Sequence, residues 1–163
     1  MPAPTVDIDY RPGDCLVYRP KGLVGWAIAT KTWHRWSHVE CVEVPGETSV
    51  ASRDGQGVNR YPLRISELGM VVRPSIAFDF KKAMAYFESV RGQPYDFWGL
   101  MSFYRTKAAK TNGRQFCSEF ATNFYRAAGC NPFKGEGAET IPPYYFATLA
   151  DYVQIIWSDE SPC

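Results

Sequence analysis

Two residue types in this chain can carry nucleophilic chemistry, a cysteine at a helix start and a histidine to serve it. Cys117 opens an apolar-periodic stretch that runs to Ala128 and is closed by Gly129, the pattern of a helix with a glycine just past its end. At a helix start the first N–H groups have no intrahelical acceptor, and the dipole is positive there. Both favour a thiolate, and the same N–H groups suit an oxyanion formed during acyl transfer. The pattern also fits a buried core cysteine, because Cys117 shares the apolar face of Phe120, Ala121, Phe124 and Ala128.

A nucleophilic thiol needs a base, and the histidines are His34 and His38 alone. His38 falls within the strand-like stretch Trp36 to Val44, and His34 lies on the approach to it. Each also reads as an ordinary structural or solvated residue. The spacing His34, His38, Cys41 resembles part of a metal site only if this segment is helical. Trp36, Val39 and Val42 argue for a strand instead. The five cysteines, Cys15, Cys41, Cys117, Cys130 and Cys163, contain no CxxC pair. Neither a closed zinc site nor a complete disulfide framework is expected, and no cofactor is called for.

These side chains need a scaffold, and the composition supplies one. The chain has 163 residues, 45% hydrophobic and 15% aromatic, enough for one globular core. Its net charge of +1, without runs of like charge, carries no footprint of nucleic-acid binding. The N-terminal residues lack the pattern of a secretory signal and no apolar stretch is long enough to span a membrane, which favours a cytoplasmic or phage-associated protein. The oligomeric state is not legible.

Strands are expected at Cys15–Tyr18, Trp36–Val44, Ser49–Ser52, Val58–Leu63 and Met70–Arg73, and a short helix at Gly22–Thr32. The period then changes. Phe80, Ala83, Met84 and Phe87 mark one face of a helix capped by Asp79. A helical turn at Trp98–Tyr104, a loop at Lys107–Arg114, the Cys117 helix, a short helix near Tyr144–Leu149 and a strand at Tyr152–Trp157 follow. Strands first and helices second predict one α+β domain over residues 11–157, with tails at 1–10 and 158–163.

Taken in order, several short pieces resemble the permuted branch of the NlpC/P60 superfamily, of the YiiX-like kind. They are Pro12-Gly13-Asp14, Ser37-His38-Val39, Gly57-Val58, Gly92-Gln93-Pro94-Tyr95-Asp96-Phe97, Phe116-Cys117-Ser118-Glu119-Phe120 with Ala128-Gly129, and Pro142-Pro143. The resemblance implies a circularly permuted papain-like fold. An antiparallel sheet would pack against helices, the histidine strand would precede the cysteine helix, and the nucleophile would stand at a helix N-terminus. It matches the catalytic cysteine onto Cys117 and the histidine onto His38. The orienting polar residue falls by position on Ser52, where the sequence departs from the pattern, since serine is short. Glu40, two residues from His38 on the same strand face, Asp54 or a backbone carbonyl are the alternatives. Glu40 reads first as a solvated strand residue. Tyr95 matches a tyrosine near the active site and otherwise reads as a core aromatic. Trp26, Trp33, Trp36, Trp98 and Tyr104 either line a substrate groove or fill the core.

The implied activity is that of a cysteine peptidase or amidase. Cys117 attacks an amide carbonyl, His38 moves the proton, and the backbone N–H groups of Cys117 and Ser118 hold the oxyanion. Peptidoglycan peptides are the first substrate class, in a bacterial or phage protein. A lipid acyltransferase or thioesterase is the alternative within the superfamily. A catalytically degenerate binding or structural component of a phage or secretion apparatus is a reading of another class.

Overall fold

In the computed structural model, which describes residues 8–102, 113–148 and 153–159, one antiparallel sheet of six strands carries the fold. The elements follow the chain as β1 (Cys15–Tyr18), α1 (Gly22–Thr32), β2 (His38–Val44), β3 (Thr48–Arg53), β4 (Gly57–Pro62), β5 (Leu68–Pro74), α2 (Phe80–Val90), α3 (Phe97–Ser102), α4 (Cys117–Ala127), α5 (Tyr145–Thr148) and β6 (Val153–Ser158). Their order across the sheet is β4-β3-β2-β1-β5-β6. The helical turn expected to reach Tyr104 is helical to Ser102, and Tyr104, most of the 107–114 loop and Cys163 lie outside the described residues.

Both faces of the sheet centre are buried. Cys15 and Val17 of β1 and Val39 and Cys41 of β2 point toward α2 and α4, into the main core with Phe87, Phe120 and Phe124. Leu16, Tyr18 and Val42 point the other way, into a second cluster with Leu68 and Val71. This alternation is the period of two that a strand imposes. The helices α2 and α4 bury the faces expected of them, and the carboxylate of Asp79 caps α2 by accepting from Lys82 N–H at 3.1 Å. Ile8, placed in the N-terminal tail by its sequence, is instead buried against the second cluster with Tyr10.

Two close approaches fix the framework around α4. Gly57 has φ +74°, and a Cβ there would sit 2.2 Å from the Gln93 carbonyl oxygen. Val58 N–H donates to that oxygen at 2.9 Å, and Gly92 N–H donates to Val58 O at 2.8 Å, so the start of β4 is clamped to the α2–α3 loop. Gly69 leaves room for the Trp36 ring, which a Cβ would approach to 2.1 Å. Trp36 is therefore a core residue and does not line a groove, which corrects the substrate-contact expectation for it.

Candidate active site

Cys117 is the first residue of α4, with Phe116 as the extended residue before it. The first intrahelical bond runs from Phe120 N–H to Phe116 O at 3.0 Å, so the N–H groups of Cys117 and Ser118 precede it. Glu119 reaches back to the Phe116 N–H as one half of a capping box, and burial pushes its carboxyl up to about 7. The Ser118 hydroxyl donates to Ile141 O at 2.5 Å, which anchors this turn to the segment before α5.

A second brace holds the approach to Cys117. Tyr95 and Gln115 form a parallel bridge, with Gln115 N–H donating to Pro94 O at 3.3 Å and Asp96 N–H to Gln115 O at 3.2 Å. The Tyr86 hydroxyl donates to Gln115 Oε1 at 2.8 Å, and the Ser52 hydroxyl donates to Gln115 O at 2.6 Å. The hydroxyl of Ser52 is therefore spent on the loop before Cys117 rather than on the imidazole. The residue expected by position to orient the histidine positions the cysteine's approach instead.

His38 and Cys117 meet. The ring of His38, at the N-terminal end of β2, lies close enough to Cys117 for the sulfur to bear on its charge, and its Nε2 lies 2.9 Å from Glu40 Oε1. With Nε2 engaged by the carboxylate, Nδ1 is the nitrogen left for sulfur. Burial opposes the charged ring, but the Cys117 sulfur and the Glu40 carboxylate outweigh it and push His38 from 6.5 up to about 9. Tyr95 also lies beside Cys117, and burial followed by the neighbouring sulfur raises the phenol well above its ordinary value. His34 is elsewhere, stacked on Tyr144 with ring centroids 4.2 Å apart. Cys41 points into the main core, so the three residues of the partial metal spacing do not converge.

Glu40 is fully buried, so the solvated-residue reading does not hold for it. Arg53 binds it in fork fashion, Nε to Oε1 at 2.7 Å and Nη2 to Oε2 at 3.0 Å, and Arg64 Nη2 adds a bond to Oε1 at 3.0 Å. The Ser49 hydroxyl donates to Oε2. Burial works against this charge, but His38 and Arg53 hold the carboxyl far below the usual carboxylate range. Arg53 lies over the Tyr61 ring at 4.1 Å and Arg64 over Tyr18 at 4.7 Å, which fixes both guanidinium groups. Sequence reasoning missed both arginines. The one available signal was register: Cys41 pairs with Val50, so Ser49, Ala51 and Arg53 share the face of Glu40.

A cleft of about 510 Å³ opens beside this cluster. Its walls include His38, Tyr95, Arg53, Arg64 and Asp54, with Gly22 to Gly25 of α1 on one side. The Cys117 side chain itself is fully buried, beside His38 and Tyr95. Among the described residues, no group of three or more His, Cys, Asp or Glu side chains is arranged to hold a metal ion.

The fold has a solved counterpart. It is similar to the crystal structure of metalloprotein YiiX from Escherichia coli O157:H7, a DUF1105 protein, with a TM-score of 0.66 and 17% identity over 93% of this chain and 98% of that one. The two chains share an α+β fold at nearly full length. No family model matches the sequence, and no curated protein matches it significantly.

Proposed function

We propose that this protein is a cysteine hydrolase of the permuted papain-like type, with Cys117 as nucleophile, His38 as general base and acid, and Glu40 as the residue that orients His38. The observation that carries this reading is the chain of contacts from Cys117 through His38 to Glu40. It begins at the first residue of a helix and ends at a buried carboxylate. The similarity to YiiX supports the fold on which the reading rests.

Each step follows from a group in hand. His38 Nδ1 takes the thiol proton, and the sulfur attacks an amide, ester or thioester carbonyl, forming a C–S bond as the carbonyl pair moves to oxygen. The N–H groups of Cys117 and Ser118 at the α4 start receive that oxyanion. The imidazolium protonates the leaving group as its bond to carbon breaks, and water then cleaves the thioester with His38 as base. Glu40 stays ionised throughout, held by Arg53 and Arg64, and keeps Nδ1 turned to sulfur. An amide in a cell-wall peptide is the substrate class implied by the superfamily resemblance.

YiiX is described as a metalloprotein. The residues here do not fit a metal centre. Cys117 and His38 offer two donors, and the third candidate, Glu40, is already neutralised by two guanidinium groups. No step is routed through a metal.

The complete burial of Cys117 favours a second reading, a binding protein in which this cysteine and histidine are structural. Tyr95 and His38 line the cleft while the Cys117 side chain is closed to solvent, so a carbonyl reaches the sulfur only after a local movement. Stopped-flow assay with an activated aryl acetate separates the two. The hydrolase shows a burst of aryl alcohol equal to one site per chain, lost in Cys117→Ala. Absence of a burst in both wild-type protein and Tyr95→Ala supports the binding reading.

A further inference from the structure

The helix α1 is apolar on both faces. Ile28, Ala29 and Thr32 face inward, and Val24 and Ile28 pack with Tyr95, Phe97 and Phe116 beneath the cleft. The outward stripe is Leu23, Trp26, Thr30 and Trp33, at i, i+3, i+7 and i+10. Leu23 is 91% exposed, Trp26 62% and Trp33 93%. Trp33 is also the helix C-cap in the left-handed region, with φ 54°, a conformation strained for an aromatic residue that then covers almost nothing. Folding alone gives no reason for these three side chains to stand in water.

The charged residues of the segment that carries them are basic. Residues 15–39 contain Arg19, Lys21, Lys31 and Arg35 and no Asp or Glu. Lys21 and Arg19 pair with Glu67 and Asp159, but the carboxylates are the more buried partners and the cationic side chains project beyond them. Indole rings beside Lys and Arg, on a helix too short to cross a bilayer, match the chemistry of a lipid headgroup boundary. Leu23 also forms part of the cleft wall, so the stripe runs to the cleft's edge.

We propose that α1 is a peripheral docking surface for an anionic lipid bilayer, with Leu23, Trp26 and Trp33 entering the headgroup boundary and the flanking Lys and Arg side chains meeting lipid phosphates and carboxylates. Docking in this way sets the cleft against the membrane surface. It does not depend on the hydrolase reading.

Co-sedimentation of the full chain with vesicles tests this. Vesicles of phosphatidylcholine with about a third phosphatidylserine should retain the protein roughly tenfold better than phosphatidylcholine alone. Trp26→Ser with Trp33→Ser should reduce retention by about tenfold or more while leaving the thermal midpoint close to wild type. Cys117→Ala should bind like wild type, which separates this surface from the cysteine chemistry. Failure to bind anionic vesicles overturns the proposal, as does binding indifferent to the double substitution. A concentration-dependent dimer in lipid-free solution that the same double substitution abolishes would assign the stripe to a second copy of the chain and overturn it too.

Discussion

Glu40 Oε1 and His38 Nε2 lie 2.9 Å apart along one strand, and the same carboxylate is gripped by Arg53 and Arg64. One buried carboxylate is therefore shared by two guanidinium groups and by the Nε2 of the imidazole. A buried ion cluster of this kind contributes little to stability as a whole, but removing one member strands the others.

Glu40→Gln should accordingly cost about 3 kcal/mol of folding stability, because Arg53 loses its carboxylate and Arg64 is left with Glu67 alone. In protein that remains folded, the His38 titration followed by NMR should fall from about 9 toward 6.5. An unmoved titration would show that Glu40 does not set the charge of His38.

The raised value at His38 fixes the sign of a pH effect. The folded ring holds its proton more tightly than the unfolded ring, so protonation favours the fold. That contribution is complete below pH 6.5 and drains away as pH rises through about 9. Urea unfolding of wild-type protein and His38→Gln across this window should show a wild-type loss on the order of 2–3 kcal/mol that the variant lacks.

Ser52→Ala should act differently from Glu40→Gln. It removes the shorter of two bonds to Gln115 O, at 2.6 Å, and should cost about 0.5–1.5 kcal/mol, because Asp96 N–H still donates to that carbonyl. The His38 titration should stay where it is. A shift comparable to that of Glu40→Gln would return Ser52 to the orienting role.

Much of the scaffold was legible because period and punctuation agree. Gly22–Thr32 and the α2 helix beginning at Phe80 behind its Asp79 cap stand where spacing and capping put them. The sheet with helices matches the α+β expectation. The site was legible only in part. Alternation along β2 put Glu40 on the face of His38, but burial of that face depends on a second cluster built from β1 and β5, which local pattern does not reveal. Arg53 and Arg64 drew no reading, since nothing in the local sequence says which carboxylate an arginine will meet across the sheet. Trp36 misled for a similar reason: its partner is a glycine in β5, remote in sequence.

The most direct measurement is peptide mapping by mass spectrometry after brief treatment with a small activated acyl ester. The account predicts one acyl adduct per chain, on Cys117, absent from folded His38→Ala. An adduct confined to Cys15, Cys41 or Cys130, or one on Cys117 that forms equally fast without His38, would contradict it.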